Sequence, residues 1–337
     1  MDKRVIFAVA GSGKTTYIIE NLSREKRSLV VTYTKSNYAT LLEKITKKFG
    51  GELPDNIVIM TYFAFLYRFC YKPFLADKYK AKGVLYERNP NQYLKQENLK
   101  YYLNANRYFY SNRLSLFLEK CNVISEIMYR IEKYFDEFAI DEIQDIAGRD
   151  FHFLEKLMLA NINMLFVGDY YQHTFNTSRD GNVNNNLFSN KAAYETRFTD
   201  KEFIVDSDTL SNSYRCSKNV CDFISANLQI QISSHRPDYE NATVEHIIDT
   251  DRITAILNDE QIIKLHYANA SKFGIGHKNW GDSKGDDRHN DICILLNKTT
   301  TERFSKNQLQ ELAPATKNKL YVALTRTRGN VYLINDL

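Results

Sequence analysis

Short apolar runs alternate with helix-like stretches of mixed polar and apolar residues along the first half of the chain. Apolar runs of four to six residues are typical of buried parallel strands, and the stretches between them have the spacing of helices. The alternation predicts an α/β sandwich with parallel sheets. The predicted strands of this part are residues 5–9, 28–32, 56–60, 137–140 and 163–167.

Polar and aromatic helical patterns interrupt this alternation at about residues 66–133, and we interpret that segment as a helical insertion. A second α/β unit is predicted to begin near residue 202. Two domains of ordinary size fit the length of 337 residues. The predicted domains are 1–200, including the insertion, and 201–337, the second with strands at 202–205, 291–296 and 330–334.

The formal charge of +4 is too small to indicate a nucleic-acid partner, but its distribution is uneven. Residues 61–133 hold 13 basic and 6 acidic side chains, a net charge of +7. Two interpretations remain open: a surface for phosphate contacts and base stacking, or a solvated helical insertion with a tyrosine-rich core. The tyrosines interleaved with the basic residues include Tyr67, Tyr71, Tyr79, Tyr101, Tyr102 and Tyr108.

The five cysteines are an odd number without the spacing of a zinc site, which argues against a disulfide scaffold and against structural zinc. The first residues lack the apolar run of a signal peptide, and no uncharged stretch is long enough to cross a bilayer. We therefore expect a cytoplasmic protein with reduced thiols.

Residues 8–15 read Ala-Val-Ala-Gly-Ser-Gly-Lys-Thr between a predicted strand and a predicted helix. Glycines at 11 and 13 let backbone N–H groups close around phosphate, and the helix adds its positive N-terminal dipole. Lys14 is expected to neutralise the β and γ phosphates, and the Thr15 hydroxyl to bind Mg²⁺. The alternative is a simple glycine turn. The expected nucleotide-binding residues are Ala10, Gly11, Ser12, Gly13, Lys14, Thr15 and Thr16.

Two adjacent acids, Asp141 and Glu142, end an apolar strand, where a parallel sheet presents its ligand-binding edge. Asp141 is expected on the metal and Glu142 as the base that orients and deprotonates water. Alternatively, the two acids favour a helix N-terminus. After a later strand, Gln172 is placed where a neutral amide can sense the γ phosphate, the alternative being a polar turn.

These stretches occur in the order AxxGxGKT, DExQD and GDxxQ, and the chain resembles superfamily 1 helicases of the UvrD/Rep type. The resemblance implies a P-loop NTPase of two RecA-like domains that binds ATP and Mg²⁺ in the cleft between them. It also implies single-stranded DNA as a partner. The residues that it implies for nucleic-acid contact are Thr32, Tyr33, Thr61, Tyr62 and Phe175. For Tyr33 and Tyr62 the alternative is packing beside a strand end.

The later motifs of that family also have matches. Residues 210–216 match L-x-x-N-Y-R-S, which implies that Tyr214 stacks on adenine and Arg215 reaches the γ phosphate. Residues 281–285 resemble the S-K-G core of another motif and imply that Asp287 binds ribose.

The last match, residues 321–328, is close to Y-V-A-x-T-R-A-R and implies that Arg326 stabilises the charge on the transferred phosphoryl group. An arginine near a helix end can instead cap carbonyl groups. The implied catalytic residues are Lys14, Glu142, Gln172, Arg215 and Arg326.

The chain also departs from the family. A glutamine-containing adenine-recognition segment is expected upstream of the phosphate loop, whereas this chain begins almost at the first strand, so nucleotide base specificity stays open. Fewer than seventy residues separate Arg215 from Lys284, where full-length relatives insert a whole domain. We expect the accessory domain of the second RecA-like domain to be missing or much reduced.

The resulting hypothesis is an ATP-dependent DNA helicase or translocase that moves on single-stranded DNA. The alternative is a DNA- or nucleotide-sensing ATPase subunit that regulates a partner nuclease, similar to the small UvrD-like component of Gabija-type phage-defence systems. Strand-displacement assays separate the two, because a sensor binds DNA and hydrolyses ATP without unwinding.

Overall fold

The computed structural model describes residues 1–91, 93–174, 183–237, 242–286 and 289–335. These residues form an α/β protein with two large parallel sheets, which confirms the predicted fold class. The strands are β1 (Lys3–Phe7), β2 (Ser28–Thr32), β3 (Ile57–Thr61), β4 (Gly83–Leu85), β5 (Tyr108–Tyr110), β6 (Glu137–Asp141), β7 (Asn163–Gly168), β8 (Ile204–Asp206), β9 (Asn212–Ser213), β10 (Ser233–Ser234), β11 (Val244–His246), β12 (Ile263–His266), β13 (His277–Asn279), β14 (Ile292–Leu296) and β15 (Val331–Asn335).

A π-helix covers Phe65–Tyr71. The α-helices are α1 (Lys14–Asn21), α2 (Lys35–Lys48), α3 (Tyr62–Ala64), α4 (Lys72–Tyr79), α5 (Ser111–Lys120), α6 (Ile124–Tyr134), α7 (Gly148–Leu157), α8 (Lys191–Thr199), α9 (Lys218–Leu228), α10 (Thr250–Asn258), α11 (Lys298–Ser305) and α12 (Pro314–Leu324).

The first sheet has six strands in the order β3-β2-β6-β7-β1-β8. Strand β2 is buried along its whole length and pairs in parallel with both β3 and β6, as its continuous apolar run predicts. Because the strands are parallel, their carboxyl ends share one edge: Thr32 pairs with Thr61 there, and Asp141 with Val167. This edge carries several of the predicted functional residues.

Strand β8 corrects one prediction. The sequence predicts residues 202–205 as the start of the second α/β unit, but Ile204–Asp206 pairs in parallel with β1 at the edge of the first sheet. Ile204 is 58% exposed, as an edge strand allows. A short apolar run predicts a strand but does not encode which sheet accepts it.

The insertion is mostly helical, with a two-stranded parallel sheet of β4 and β5 that the sequence did not predict. Its centre is aromatic: Tyr71 contacts Phe109 with ring centroids 4.9 Å apart, and Phe117 contacts Tyr102 at 5.1 Å and Phe109 at 5.0 Å. Tyr71, Tyr101 and Tyr102 are buried. The structure therefore favours the tyrosine-rich core for these three residues over a role at the surface.

The second sheet has five strands in the order β11-β15-β14-β12-β13, all paired in parallel. Alternate residues of β14 enter two separate cores: Ile294 packs with Trp280 and Tyr321, and Cys293 packs with Ile334 on the other face. Both faces of this sheet are thus covered, as expected for parallel strands.

The chain divides into two compact units. The first comprises the described residues of Met1–Ile6, Thr15–Gly168 and Asn176–Asp206, and the second those of Phe7–Lys14, Asp169–Phe175 and Ser207–Leu337. Val9 and Ala10 lie in the core of the second unit, so the segment Phe7–Lys14 packs with that unit. Among the helices of the described residues, none combines the length and apolar character needed to cross a membrane.

Candidate functional site

The conformation of residues 8–15, the predicted phosphate loop, depends on glycine at two positions. Gly11 and Gly13 have φ angles of +73° and +88°, which L side chains rarely adopt. A Cβ on Gly11 would lie 2.7 Å from the Arg215 Cβ and 2.8 Å from the Ser213 Oγ. Gly11 is therefore required both for the backbone conformation and for the close approach of Arg215.

The Tyr321 hydroxyl joins three distant parts of the second unit. It donates a hydrogen bond to the Asp169 Oδ2 at 3.0 Å and accepts one from the Ala10 N–H, also at 3.0 Å. Burial and the neighbouring Asp169 carboxylate raise the pKa of Tyr321 well above its usual value, so the hydroxyl keeps its proton. Ala10, one of the residues expected to bind the nucleotide, thus donates its N–H to this hydroxyl.

Hydrogen bonds also hold the segment before α9 against the loop. The Tyr214 N–H donates to the Gly11 carbonyl at 2.9 Å, and the Arg215 Nη1 donates to the Thr325 carbonyl at 3.1 Å. The buried Ser213 Oγ accepts from the N–H groups of Arg215 and Cys216. Arg215, whose guanidinium is predicted to reach the γ phosphate, is therefore held by hydrogen bonds of both its backbone and its side chain.

Tyr214, the residue predicted to stack on adenine, already stacks on His235. The ring centroids lie 4.1 Å apart and the planes differ by 13°. The Tyr214 side chain nevertheless stays exposed, with 61% of the residue accessible. Its aromatic surface is thus partly covered by an imidazole and partly open.

Arg326 is buried just after α12. Its Nε donates to the Val322 carbonyl at 2.9 Å and its Nη2 to the Thr325 Oγ1 at 3.2 Å, so the guanidinium caps the end of this helix as the alternative interpretation held. Burial, followed by the positive charge of Arg215, lowers the pKa of Arg326 to about 10. Two guanidinium groups therefore lie close enough to repel each other, and an anion bound beside them would relieve that repulsion.

Gln172 and Lys14 are the other predicted catalytic residues of the second unit, and both side chains are buried. Gln172 ends a 3₁₀ turn in which its N–H donates to the Asp169 carbonyl at 2.9 Å and the Asp169 Oδ1 accepts from the Tyr171 N–H at 3.1 Å.

We call Ala10, Gly11, Asp169, Arg215 and Tyr321, with the hydrogen bonds among their neighbours, the phosphate-loop network.

The candidate metal residues lie in the first unit. The Thr15 Oγ1 donates to the Asp141 Oδ2 at 2.9 Å, and Asp141 is buried at the end of β6. A hydroxyl and a carboxylate are hard oxygen donors of the kind that Mg²⁺ binds. These two residues fit the cation predicted from the sequence, and Thr16 beside them is exposed.

Glu142 has left-handed backbone angles, φ 60° and ψ 50°, a conformation that typically costs about 1–3 kcal/mol for a residue with a side chain. The chain turns there from β6 into a 3₁₀ turn, Ile143–Asp145, and the Glu142 carboxylate accepts a hydrogen bond from the Gln144 amide. A Cβ on Gly168 would lie 2.2 Å from the Gln144 Oε1, so only glycine lets β7 end against this turn.

The residues predicted for nucleic-acid contact end strands of the first sheet or follow them. Thr32 is buried, and the Thr61 hydroxyl caps α3 by accepting from the Ala64 N–H at 3.3 Å. Tyr62 is only 2% exposed, which favours packing over base contact, whereas Tyr33 is half-buried. The predicted contact Phe175 and the predicted ribose ligand Asp287 lie outside the described residues.

Sequence reasoning missed Ser213, Asp169 and His235 as parts of the site. Ser213 and Asp169 lie inside sequence motifs that were recognised, and only their position in those motifs could have identified them as site residues. His235 follows no motif, and only the folded chain brings its ring to Tyr214.

No known protein-family model matches the chain, and no curated protein matches it significantly. Two solved structures of similar fold are an Arterivirus nonstructural protein 10 (helicase) and a complex of that helicase with DNA. The first is 12% identical with a TM-score of 0.53, and the match covers 98% of this chain and 59% of that one. The second is 12% identical with a TM-score of 0.51, covering 98% and 60%.

This chain therefore spans about three fifths of the length of those helicases. At 12% identity the likeness shows the fold alone: a helicase fold with two RecA-like parallel sheets.

Proposed function

We propose that this chain is an ATP hydrolase of the superfamily 1 helicase type that uses Mg²⁺ and moves on single-stranded DNA. The observation that carries the proposal is the phosphate-loop network. It places Arg215 against Gly11, and the buried Arg326 lies close enough to Arg215 for the two charges to repel each other. Positive charge beside a glycine-rich loop suits the γ phosphate of a nucleoside triphosphate.

The proposed roles follow the chemistry of each side chain. Lys14 neutralises phosphate charge, and Arg215 and Arg326 stabilise the charge that develops on the transferred phosphoryl group. Arg326 would have to exchange its bonds to the α12 carbonyl end for bonds to phosphate. Gln172 senses the γ phosphate and helps to position the attacking water.

Glu142 is the proposed base. Its left-handed backbone turns the chain immediately after β6, and the bond from Gln144 orients its carboxylate. Thr15 and Asp141 would hold Mg²⁺, which neutralises phosphate charge when bound. The protein's own contribution at this edge of the sheet is to orient water and to accept its proton.

Hydrolysis tests the proposal directly. ATPase rates measured in parallel with single-stranded DNA, duplex DNA and RNA, and repeated with GTP, identify the polymer and the base that the site prefers. A strand-displacement assay on the same preparations shows whether hydrolysis is coupled to unwinding. Glu142→Gln should lower kcat by at least about 100-fold, because the base is lost.

Glu137→Gln is the matched control, since Glu137 begins the strand that Glu142 follows and pairs with Lys26 at 2.6 Å. The rate of this variant should stay within about two-fold of that of the unsubstituted protein, as expected for a partly exposed ion pair. An unchanged rate in Glu142→Gln would refute the assigned chemistry, and an absence of hydrolysis under every condition would refute the proposed function.

A further inference from the structure

Four aromatic rings of the first unit form a connected series that starts beside the ends of β2 and β3. Tyr33 contacts Tyr62 at 6.4 Å and Phe63 at 5.8 Å, and Tyr62 contacts Phe63 at 5.4 Å. Phe63 then meets Tyr86 of the insertion, edge to face, at 5.3 Å and 86°. We call Tyr33, Tyr62, Phe63 and Tyr86 the aromatic ladder.

Exposure differs sharply among the members of the ladder. Tyr62 is 2% exposed and Phe63 is 5% exposed, whereas Tyr86 is 64% exposed. The buried rings therefore act as a support, and Tyr86 is the member with the most surface available to a ligand. Leaving an aromatic side chain this exposed gives up most of the free energy that its burial would supply.

The segment before Tyr86 is fixed by two tyrosines of the π-helix. The Tyr67 hydroxyl donates to the Ala81 carbonyl at 2.8 Å, and the Ala81 N–H donates to the Tyr71 hydroxyl at 2.9 Å. These two rings stack on each other with centroids 5.6 Å apart. Tyr86 directly follows β4, which pairs with β5, so an anchored backbone and a ring contact together set its position.

The chemistry around Tyr86 suits a nucleic acid. Lys82 and Arg88 are exposed within four residues of it and can contact phosphates. The ladder starts from Tyr33 and Tyr62, which follow the ends of two parallel strands, the edge at which such sheets bind ligands. An aromatic face beside basic side chains is the usual composition of a site for single strands.

We propose that Tyr86 is a stacking platform for an unpaired base, and that Phe63 and Tyr33 support it from within the first unit. This inference rests on the proposed function, because it names a contact of the proposed DNA-binding surface. Stacking on a single ring accepts any base and requires that the base be unpaired. Tyr86 therefore favours single strands over duplexes without reading sequence.

Binding measurements with Tyr86→Ala test the proposal. Fluorescence anisotropy with a labelled single-stranded oligonucleotide of mixed sequence, without nucleotide and at fixed salt, should show binding weakened between about 5-fold and about 150-fold. Tyr86→Phe keeps the ring and should bind within about two-fold of the unsubstituted protein. Thermal unfolding of each variant distinguishes a loss of affinity from a loss of folded protein.

Tyr129→Ala is the matched control, because Tyr129 is 65% exposed on α6 of the same unit and its ring contacts Lys133 at 6.0 Å. Its affinity should be unchanged. Oligonucleotides carrying one abasic position, moved along the strand, provide a second measurement. At the position that contacts Tyr86, the abasic substitution and Tyr86→Ala should each weaken binding, but their effects on affinity should not add, since both remove the same contact.

If the unsubstituted protein binds the oligonucleotide but Tyr86→Ala binds equally well, or Tyr129→Ala loses as much, the platform is refuted and the proposed function stands. If the unsubstituted protein binds no single-stranded DNA or RNA, the proposed function and this inference fail together.

Discussion

The phosphate-loop network and the aromatic ladder achieve rigidity by different means. In the network, directional hydrogen bonds near 3.0 Å tie together Ala10, Asp169 and Tyr321. In the ladder, rings pack at centroid distances of 5.3–6.4 Å, and its outermost member stays exposed. A network of buried polar groups tolerates little displacement, whereas ring contacts fall off gradually with distance.

These two kinds of packing predict which substitutions each region should tolerate. Loss of one partner in the network leaves a buried polar group without its hydrogen bond, which is expensive. Loss of one ring in the ladder removes contact area and little else. We therefore expect large effects on hydrolysis and stability from the network and smaller, binding-specific effects from the ladder.

Removing the buried Arg326 guanidinium should give the largest difference between an effect on ATP hydrolysis and an effect on single-strand binding. Arg326→Ala should lower the single-turnover rate of ATP hydrolysis by about 10³-fold, the range typical of an arginine that stabilises phosphoryl charge. Affinity for single strands without nucleotide should stay within about two-fold. Arg303→Ala is the control, since Arg303 pairs with Glu311 at the surface; an equal loss there would contradict the assigned role.

Adding a methyl group to the phosphate loop tests how tightly the network is packed. Gly11→Ala should lower the free energy of unfolding, measured in urea, by roughly 3 kcal/mol, because left-handed strain and the clash with Arg215 combine. Gly50→Ala isolates the strain, since Gly50 has φ +85° and open space around it. Its loss should be about 1 kcal/mol. Equal losses in the two variants would show that the approach of Arg215 is not tight.

Removing one oxygen atom tests the hydrogen bonds without changing the packing. Tyr321→Phe should lower the free energy of unfolding by about 2 kcal/mol, because the Asp169 carboxylate and the Ala10 N–H both lose a buried partner. In the control Tyr332→Phe, the lost bond is a half-buried 3.3 Å contact with Asp291, and the change should be below about 1 kcal/mol. Similar values for both would mean that the hydrogen bonds of the Tyr321 hydroxyl contribute no more than this half-buried contact.

Replacing a supporting ring should give the smallest effect. Phe63→Leu keeps apolar volume but removes the edge that meets Tyr86, so single-strand affinity should fall by about three-fold and stability by about 1 kcal/mol. Phe69 is the matched control, equally 5% exposed but stacked on Phe65 outside the ladder. Phe69→Leu should lose similar stability and no affinity. If both variants bind alike, the support of Tyr86 by Phe63 is refuted.

Much of the first sheet follows from local sequence. Strand β2 has the predicted bounds, 28–32, because a wholly buried parallel strand must be continuously apolar. Strand β8 was assigned to the wrong sheet, because its neighbour β1 lies about 200 residues earlier and no local pattern records that pairing. Strands β4 and β5, three residues each, are too short for a periodic signal.

The site shows the same limit. Motif spacing identified Gly11, Arg215 and Arg326 as candidates, because each residue type is constrained by the phosphate chemistry itself. The sequence could not distinguish the buried Tyr71 and Tyr102 from the exposed Tyr86, since tyrosine suits both environments. Their burial is a property of the tertiary packing, and the roles of the site residues stay predictions until they are measured.

The single oxygen atom of Tyr321 also has a consequence for the order in which the protein folds. Tyr321 lies 311 residues after its donor Ala10 and 152 residues after its acceptor Asp169. Contacts of such large sequence separation form late, because long loops must close before any of them gains a partner. During synthesis the N-terminal segment leaves the ribosome long before α12 exists. The Ala10 amide therefore gains this partner only after α12 has been synthesised, so residues 8–15 reach their described form after a contact that spans 311 residues has closed.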